Sequence, residues 1–269
     1  MVKKLFKHEY LFYVRVMAIV YAVLLTVSVA TKLIYTFESN TTAYQIIRGF
    51  TTIVYVFSLI AAWGFAWVMG IVRFYRNLFT AEGYLSFTLP VTADQHIIVK
   101  AVTAVCVELV TMLMVGVSGL IVVPGEILTE LGNAFAIIFA DIPTDAVVHL
   151  VLYAVEFLIM LLLAAFSSVM LYYCFISIGQ LSRKNRILAA VGAYFGYYIL
   201  TQVLATFMTI MLSVFAATGV FETWIYWIAE HPVATIHLLM CTGILLATLF
   251  LLLEFLLVRW IITKKLNLE

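Results

Sequence analysis

The chain contains six long apolar runs, and most of its charged residues fall in the short segments between them. A helix needs about 20 mostly apolar residues to cross the roughly 30 Å hydrocarbon core of a bilayer, and each run is long enough. The predicted spans are residues 16–37, 46–72, 97–123, 146–178, 187–220 and 234–262. Only 11% of the 269 residues are charged, against roughly a quarter in soluble domains. The sequence therefore predicts an all-α, multi-pass membrane protein with one transmembrane domain over residues 1–269.

Basic residues lie strongly to one side of the predicted spans. With the N-terminus in the cytoplasm, every Lys and Arg except Lys32 and Arg48 falls on the cytoplasmic side. Cytoplasmic loops carry an excess of Lys and Arg, so we expect both termini inside the cell. Residues 3–15 alternate basic, aromatic and aliphatic types, which predicts a helix along the cytoplasmic interface before the first span. Residues 124–145 hold four acidic residues and no basic one, and we expect them to form an outer loop.

The connection between the second and third predicted spans, residues 73–95, contains more structural signals than a simple turn requires. Its first part, RFYRNLF, repeats basic and aromatic residues at helical spacing, so the second span should continue as a helix past the membrane. Gly83 supplies a flexible break, and Pro90 forces the residue before it into an extended or turn conformation. Thr92 or Asp94 is placed to cap the third span. Exposed apolar residues here need a cover, either other membrane helices or a soluble partner; a plain interfacial turn is the other interpretation.

The run RFYRNLFTAEGYLSFTLPVTADQHIIVK, residues 73–100, resembles the linker between the second and third spans of bacterial ABC-2 type ABC transporter permeases. In that family the linker forms a short cytoplasmic coupling helix that seats in a groove of the ATPase subunit. The resemblance implies that this contact is made or supported by Glu82, Gly83, Tyr84, Leu85 and Pro90.

The resemblance also implies a function in the bacterial plasma membrane. The chain would be the permease subunit of an ABC exporter and would work as two permease chains, identical or homologous, with two ATPase subunits. Alternating access would move an amphiphile outward: a peptide, a lipid-like molecule or a drug. The alternative is a non-catalytic membrane module that captures substrate or regulates a transporter or sensor.

Motifs for chemistry are missing from the sequence itself. There is no GxxxxGK[ST] phosphate-binding loop and no HExxH or GxSxG motif, so we expect no enzyme activity in this chain. We likewise expect no cofactor or metal in it, with ATP and Mg²⁺ bound by the partner ATPase. The basic residues form no stripe, which argues against nucleic-acid binding. Membrane lipid, a second permease chain and the ATPase subunits are the expected partners.

Three acidic residues lie inside predicted spans: Glu108, Glu156 and Glu254. Glu108 and Glu156 are deep in the third and fourth spans, where an ionised carboxylate costs at least about 2.5 kcal/mol. They would line or switch a substrate path, or else form helix-to-helix hydrogen bonds to a Ser, Thr or Gln; both interpretations stay open. Glu254 is expected to be a structural partner of a basic residue near the inner interface.

Two further patterns concern packing and the outer face. Gly192 and Gly196 form a GxxxG pattern in the fifth span, which suits close helix packing within the subunit or at a dimer face. Residues 221–232 combine Trp and Tyr with acidic ends, typical of a segment at the outer headgroup level. This segment would be part of a re-entrant hairpin or a simple aromatic anchor.

Overall fold

The computed structural model describes residues 2–37, 39, 41–80, 82–83, 88, 90–140, 143–182, 184–220 and 222–265. Within these residues the chain forms eight α-helices and no strand. They are α1 (Val2–Thr36), α2 (Thr42–Phe79), α3 (Ala93–Val122), α4 (Gly125–Ala140), α5 (Thr144–Gly179), α6 (Arg186–Ala217), α7 (Glu222–Glu230) and α8 (Pro232–Lys264). In this described part, all but α4 and α7 are long and apolar enough to cross a membrane. The predicted all-α fold with six apolar spanning helices is confirmed.

The long helices extend beyond the apolar runs that predicted them. Residues 3–15 belong to α1 and are continuous with the first span, without a break between the two parts. The RFYRNLF segment completes α2, as its basic and aromatic spacing predicted. Thr92 caps α3: its hydroxyl accepts a hydrogen bond from the Gln95 N–H at 3.3 Å, and the Gln95 side chain accepts one from the Thr92 N–H at 3.2 Å. Of the two caps that the sequence offered, the structure therefore uses Thr92.

Two short helices fall in segments that lie outside the predicted spans. Helix α4 occupies most of residues 124–145, which we expected to be a loop. Its 16 residues are too few for the length criterion of a span. Helix α7 lies within the aromatic segment 221–232. Gly219, just before α7, has a φ of 72°, a conformation that glycine adopts without strain and that commonly ends a helix such as α6.

The chain divides into two compact units, Met1–Pro143 and Thr144–Glu269. In the first unit α1 packs against both α2 and α3, and α2 packs against α3. Its core includes Tyr13 and Met17 of α1 with Ala66 and Val107 from the other two helices. Hydrogen bonds between helices also lie beyond this core. The hydroxyls of Tyr21 on α1 and Thr111 on α3 are 2.7 Å apart, and those of Tyr55 on α2 and Ser118 on α3 are 3.3 Å apart.

Lys32 has a specific role at the other end of α3. Its Nζ donates a hydrogen bond to the carbonyl oxygen of Val123 at 2.8 Å. The last carbonyl groups of a helix have no partner within the helix, and a cation there also offsets the negative end of the helix dipole. Lys32 therefore joins the end of α1 to the end of α3.

In the second unit α5 packs along α8 and also against α6, and α7 contacts α8. The α5 to α8 approach is close at Gly243, where an added Cβ would lie 3.2 Å from the Met160 sulfur. Phe175 of α5 lies against the rings of Tyr194 and Tyr197 on α6, with centroids 5.6 and 5.5 Å apart. The structure describes the whole of α6 and buries none of its side chains within this chain.

The glycines of the GxxxG pattern do not mediate packing inside this unit. Among the described residues, no atom lies within 4 Å of a Cβ built on Gly192 or Gly196. Gly179 is different, because a Cβ there would lie 2.6 Å from the Arg186 carbonyl oxygen and 2.7 Å from the Ala190 Cβ. The turn from α5 to α6 therefore requires glycine at position 179, whereas packing within the subunit does not require it at 192 and 196.

Replacing Gly179 by Ala should destabilise the second unit, because the new methyl group meets backbone that cannot move without opening the turn. The expected loss in free energy of unfolding is about 1–3 kcal/mol, the usual cost of overpacking. Gly64→Ala is the matched control, since a Cβ there has no neighbour within 4 Å among the described residues. The control should be neutral or stabilising by about 1 kcal/mol, because Ala is the better helix former. Thermal unfolding in detergent micelles measures both, and equal stability of the two variants would contradict the requirement at Gly179.

Candidate functional site

A buried ionic cluster joins α1, α2 and α3 at one end of the first unit. Its centre is Glu9, whose side chain is only 5% exposed. One carboxylate oxygen accepts a hydrogen bond from Arg73 Nε at 2.8 Å. The other accepts from Lys100 Nζ and from Asn77 Nδ2, both at 2.9 Å. The guanidinium of Arg73 also lies over the Phe12 ring, 4.0 Å from its centroid. One carboxylate on α1 therefore holds a cation from each of the other two helices.

Local helix geometry explains how these residues meet. Arg73 and Asn77 are one turn apart on α2, so both present their polar groups to the same side of that helix. Lys100 lies two turns into α3 and has 5% of its side chain exposed. A buried ion without its partner is strongly unfavourable, so each cation of the cluster depends on the Glu9 carboxylate. The cluster consequently ties α1 to both of its neighbours by charge as well as by apolar packing.

The linker between α2 and α3 begins beside this cluster. Arg76, three residues after Arg73, forms a salt bridge with Glu82 in which Nη2 and Oε1 are 2.8 Å apart. Glu82 also interacts electrostatically with Lys100. Gly83 is buried and its N–H donates to the Thr80 carbonyl oxygen at 2.7 Å. The start of the linker is thus held against the end of α2, and the charge of Glu82 interacts with the ionic cluster through Lys100.

Several apolar residues at this end of the unit are buried within the chain. Phe74, Leu78 and Phe79 of α2 are all buried, and so is Ile97 of α3. The Phe74 and Phe79 rings meet edge to face, with centroids 5.7 Å apart. The apolar residues of the linker for which the sequence considered a cover, Tyr84, Leu85, Phe87 and Leu89, lie outside the described residues, so the choice between membrane helices and a soluble partner stays open.

The structure describes three of the five residues that were predicted to contact an ATPase. Glu82 is half-buried in its contact with Arg76, Gly83 is buried, and Pro90 is exposed. Tyr84 and Leu85 lie outside the described residues, as does most of the segment expected to form the coupling helix. The contact of these five residues with an ATPase stays a prediction.

The ionic cluster itself was missed by sequence reasoning. One signal for it exists, because Glu9 is the first acidic residue of a strongly basic N-terminal segment. Its partners are 64 and 91 positions away along the chain. No local pattern pairs residues over that separation.

A second polar group lies between α5 and α8 in the other unit. Glu156 Oε1 is 2.8 Å from His237 Nδ1, and His237 Nε2 is 3.1 Å from His149 Nδ1. The Tyr153 ring lies against the His237 ring, with centroids 4.5 Å apart, and its hydroxyl donates to the Val233 carbonyl oxygen at 3.1 Å. Glu156 therefore forms a helix-to-helix hydrogen bond, one of the two interpretations of the sequence, but its partner is a histidine.

The other two acidic residues of the spans have separate surroundings. Glu108 is half-buried on α3 in the first unit and interacts electrostatically with the buried Tyr13 of α1. A role for Glu108 and Glu156 in a substrate path stays a prediction. The Ser167 hydroxyl donates one hydrogen bond that is shared between the two carboxylate oxygens of Glu254, at 3.0 and 2.9 Å. The structure therefore describes a neutral hydroxyl of α5 as a partner of Glu254, and its pairing with a basic residue stays a prediction.

Replacing Glu9 by Gln should destabilise the first unit more than any other single charge removal at this end. The variant keeps the size of the side chain but leaves Arg73 and Lys100 without their carboxylate, and breaking a buried ion pair costs about 3–5 kcal/mol. Glu82→Gln is the matched control, because its salt bridge with Arg76 is largely exposed and should contribute about 1 kcal/mol or less. Unfolding in mixed micelles by increasing sodium dodecyl sulfate measures both. Equal losses would show that the cluster does not hold the helices together.

The comparisons with known proteins leave the family open. The chain matches no protein-family model, no curated protein and no solved structure. The likeness of residues 73–100 to ABC-2 permease linkers therefore stays a resemblance of sequence. The six long apolar helices indicate a multi-pass membrane protein, and this is the class to which the chain belongs.

Proposed function

We propose that this chain is the membrane-spanning subunit of an ABC-2 type exporter, driven by a separate cytoplasmic ATPase subunit. The observation that carries the proposal is the attachment of the linker to three helices. Glu82 at the start of the linker binds Arg76, and Arg73, one turn earlier on α2, binds Glu9 of α1. Lys100 of α3 binds the same carboxylate. A force applied to the linker would therefore act on α1, α2 and α3 together.

The proposed orientation agrees with this role. Both termini are taken to be cytoplasmic, because that choice leaves only Lys32 and Arg48 of the basic residues outside. The ionic cluster and the linker then lie at the cytoplasmic side, within reach of a soluble subunit. Residues 3–15 would lie at the interface, and the coupling helix would form within residues 82–90.

The working unit under this proposal contains two permease chains and two ATPase subunits. Binding of ATP and Mg²⁺ closes the ATPase pair, which pushes the linker and shifts the spans by alternating access. An amphiphilic substrate, such as a peptide, a lipid-like molecule or a drug, is released outward, with Glu108 and Glu156 lining or switching its path. A second permease chain is supported by α6, whose side chains are unburied and whose Gly192 and Gly196 are open to close approach by another helix.

Scrambling the order of residues 82–90 should separate the chain from its ATPase while leaving the spans intact. The test is affinity purification of the tagged chain from its native membrane, followed by identification of any co-purified protein with a GxxxxGK[ST] loop. We expect such a subunit with the wild-type chain and a loss of about tenfold or more with the scrambled one, since few residues dominate most interfaces. Scrambling residues 126–134 of α4, on the opposite predicted side, is the control and should leave the amount unchanged.

Two results would count against the proposal. Unchanged recovery and unchanged ATPase stimulation after scrambling residues 82–90 would remove the linker from the coupling mechanism. A wild-type chain that purifies from its membrane with no nucleotide-binding subunit would favour the alternative, a membrane module that captures substrate or regulates another protein.

A further inference from the structure

A continuous chain of hydrogen-bonding groups connects three titratable residues between α5 and α8. We propose that Glu156, His237 and His149 form a proton-binding site in which one proton is bound and shared by the three side chains. The two distances along the chain, 2.8 Å and 3.1 Å, are both hydrogen-bonding distances. Ionisable residues inside membrane spans commonly form proton pathways, because a charge there needs a partner. This inference does not depend on the proposed exporter function.

The three residues form a path from a helix end to the interior. His149 lies five residues after the start of α5 at Thr144, and Glu156 lies seven residues deeper, which is about 10 Å along the helix. The spacing from His149 to Tyr153 to Glu156 keeps all three on one face of α5, and this face meets His237 of α8. Side-chain exposure falls from 22% at His237 to 17% at Glu156. The deepest group is thus a carboxylate that is reached through two imidazoles.

The bound proton can be followed atom by atom. Before binding, Glu156 is a carboxylate, His237 donates its Nδ1 proton to Oε1, and His149 donates its Nδ1 proton to His237 Nε2. A proton then binds His149 Nε2, the Nδ1 proton of His149 moves to His237 Nε2, and the Nδ1 proton of His237 moves to Glu156 Oε1. The result is a neutral carboxylic acid and two neutral imidazoles whose hydrogen bonds point the other way. The net charge changes from −1 to zero.

The surroundings leave few other groups to take part. On α5 the Tyr153 hydroxyl donates to the Val233 carbonyl oxygen, and on α8 Cys241 lies one turn beyond His237 and is exposed. Helix α7, packed on α8, carries the titratable residues Glu222, Tyr226 and Glu230, and His231 follows it. From α6, residues 199–217 include no titratable side chain. Glu156 Oε2 is buried and has no hydrogen-bond partner among the described residues, so the His237 imidazole at Oε1 is the only hydrogen-bonding partner described for this carboxylate.

Proton binding fits these groups better than metal binding. Both ring nitrogens of His237 are already engaged, one by Glu156 and one by His149. In the part of the chain that the structure describes, no group of three or more His, Cys, Asp or Glu residues is arranged to hold a metal ion. The three side chains are therefore arranged to bind a proton rather than a metal ion.

The test is a pH titration of the full chain in lipid nanodiscs, with ¹⁵N-labelled histidine followed by nuclear magnetic resonance. His149→Phe and His237→Phe assign the two resonances. In Glu156→Gln, which removes the charge and keeps the size, the titration midpoints of His149 and His237 should each move by about one pH unit or more, as expected for coupled groups. The midpoint of His231, which stacks on Trp227 outside the chain of three, should not move and serves as the internal control.

If Glu156→Gln folds poorly, an infrared measurement on the other samples provides an independent test. A protonated-carboxyl band should change with pH at the same midpoint as the two histidines. His149→Phe should shift that midpoint, whereas Glu254→Gln, a variant of the carboxyl bound by Ser167, should leave it unchanged. Histidine midpoints that are the same in wild type and Glu156→Gln, or a carboxyl band unaffected by His149→Phe, would overturn the shared site.

Discussion

The carboxylate of Glu9 is the group on which the arrangement of the first unit most depends. It binds Arg73 and Lys100, one cation from each neighbouring helix, and neither cation is well exposed. If α1 moved away, two charges would remain in a buried site at once, which is a large penalty. The contacts farther along the helices are hydroxyl pairs such as Tyr21 with Thr111, and neutral hydrogen bonds contribute less. At the far end the Lys32 ammonium binds a single carbonyl oxygen of Val123. The unit therefore has a buried ionic cluster at one end and individual hydrogen bonds along the remainder.

The second unit is organised differently. Its most extensive association is the long packing of α5 along α8, close enough at Gly243 that an added Cβ would require the Met160 side chain to shift. Helix α6 is attached through the tight turn at Gly179 and the ring contacts of Phe175, and the chain buries none of its side chains. In a bilayer, lipid covers such a surface without difficulty, because the hydrophobic effect does not favour one apolar neighbour over another there. On such a surface, small residues such as Gly192 and Gly196 of α6 leave room for the backbone of a second helix to approach.

The sequence predicted features that depend on neighbouring residues, but it did not predict contacts between residues that are far apart in the chain. The six spanning helices follow from the length of uninterrupted apolar sequence. The sequence limited the cap of α3 to Thr92 or Asp94, and the structure uses Thr92. Helix α4 was missed because 16 residues do not reach the length of a span. The partners of Glu9 and the pairing of His149 with His237, 88 positions apart, depend on helix packing that periodicity within one helix cannot reveal.

Glu9 and Glu156 are carboxylates with little exposure that are bound by partners of different chemistry. Glu9 is neutralised by a guanidinium and an ammonium, and a guanidinium keeps its charge at any pH that a protein experiences. Such a pair is suited to a permanent connection, which a linker needs if it is to move three helices as one. Glu156 is bonded instead to the His237 imidazole, a side chain that can accept a proton at one ring nitrogen and donate one at the other. The same kind of residue is therefore held by two cations in one unit and by a hydrogen-bonded imidazole in the other, and the proposed proton site would rearrange only the second of these two contacts.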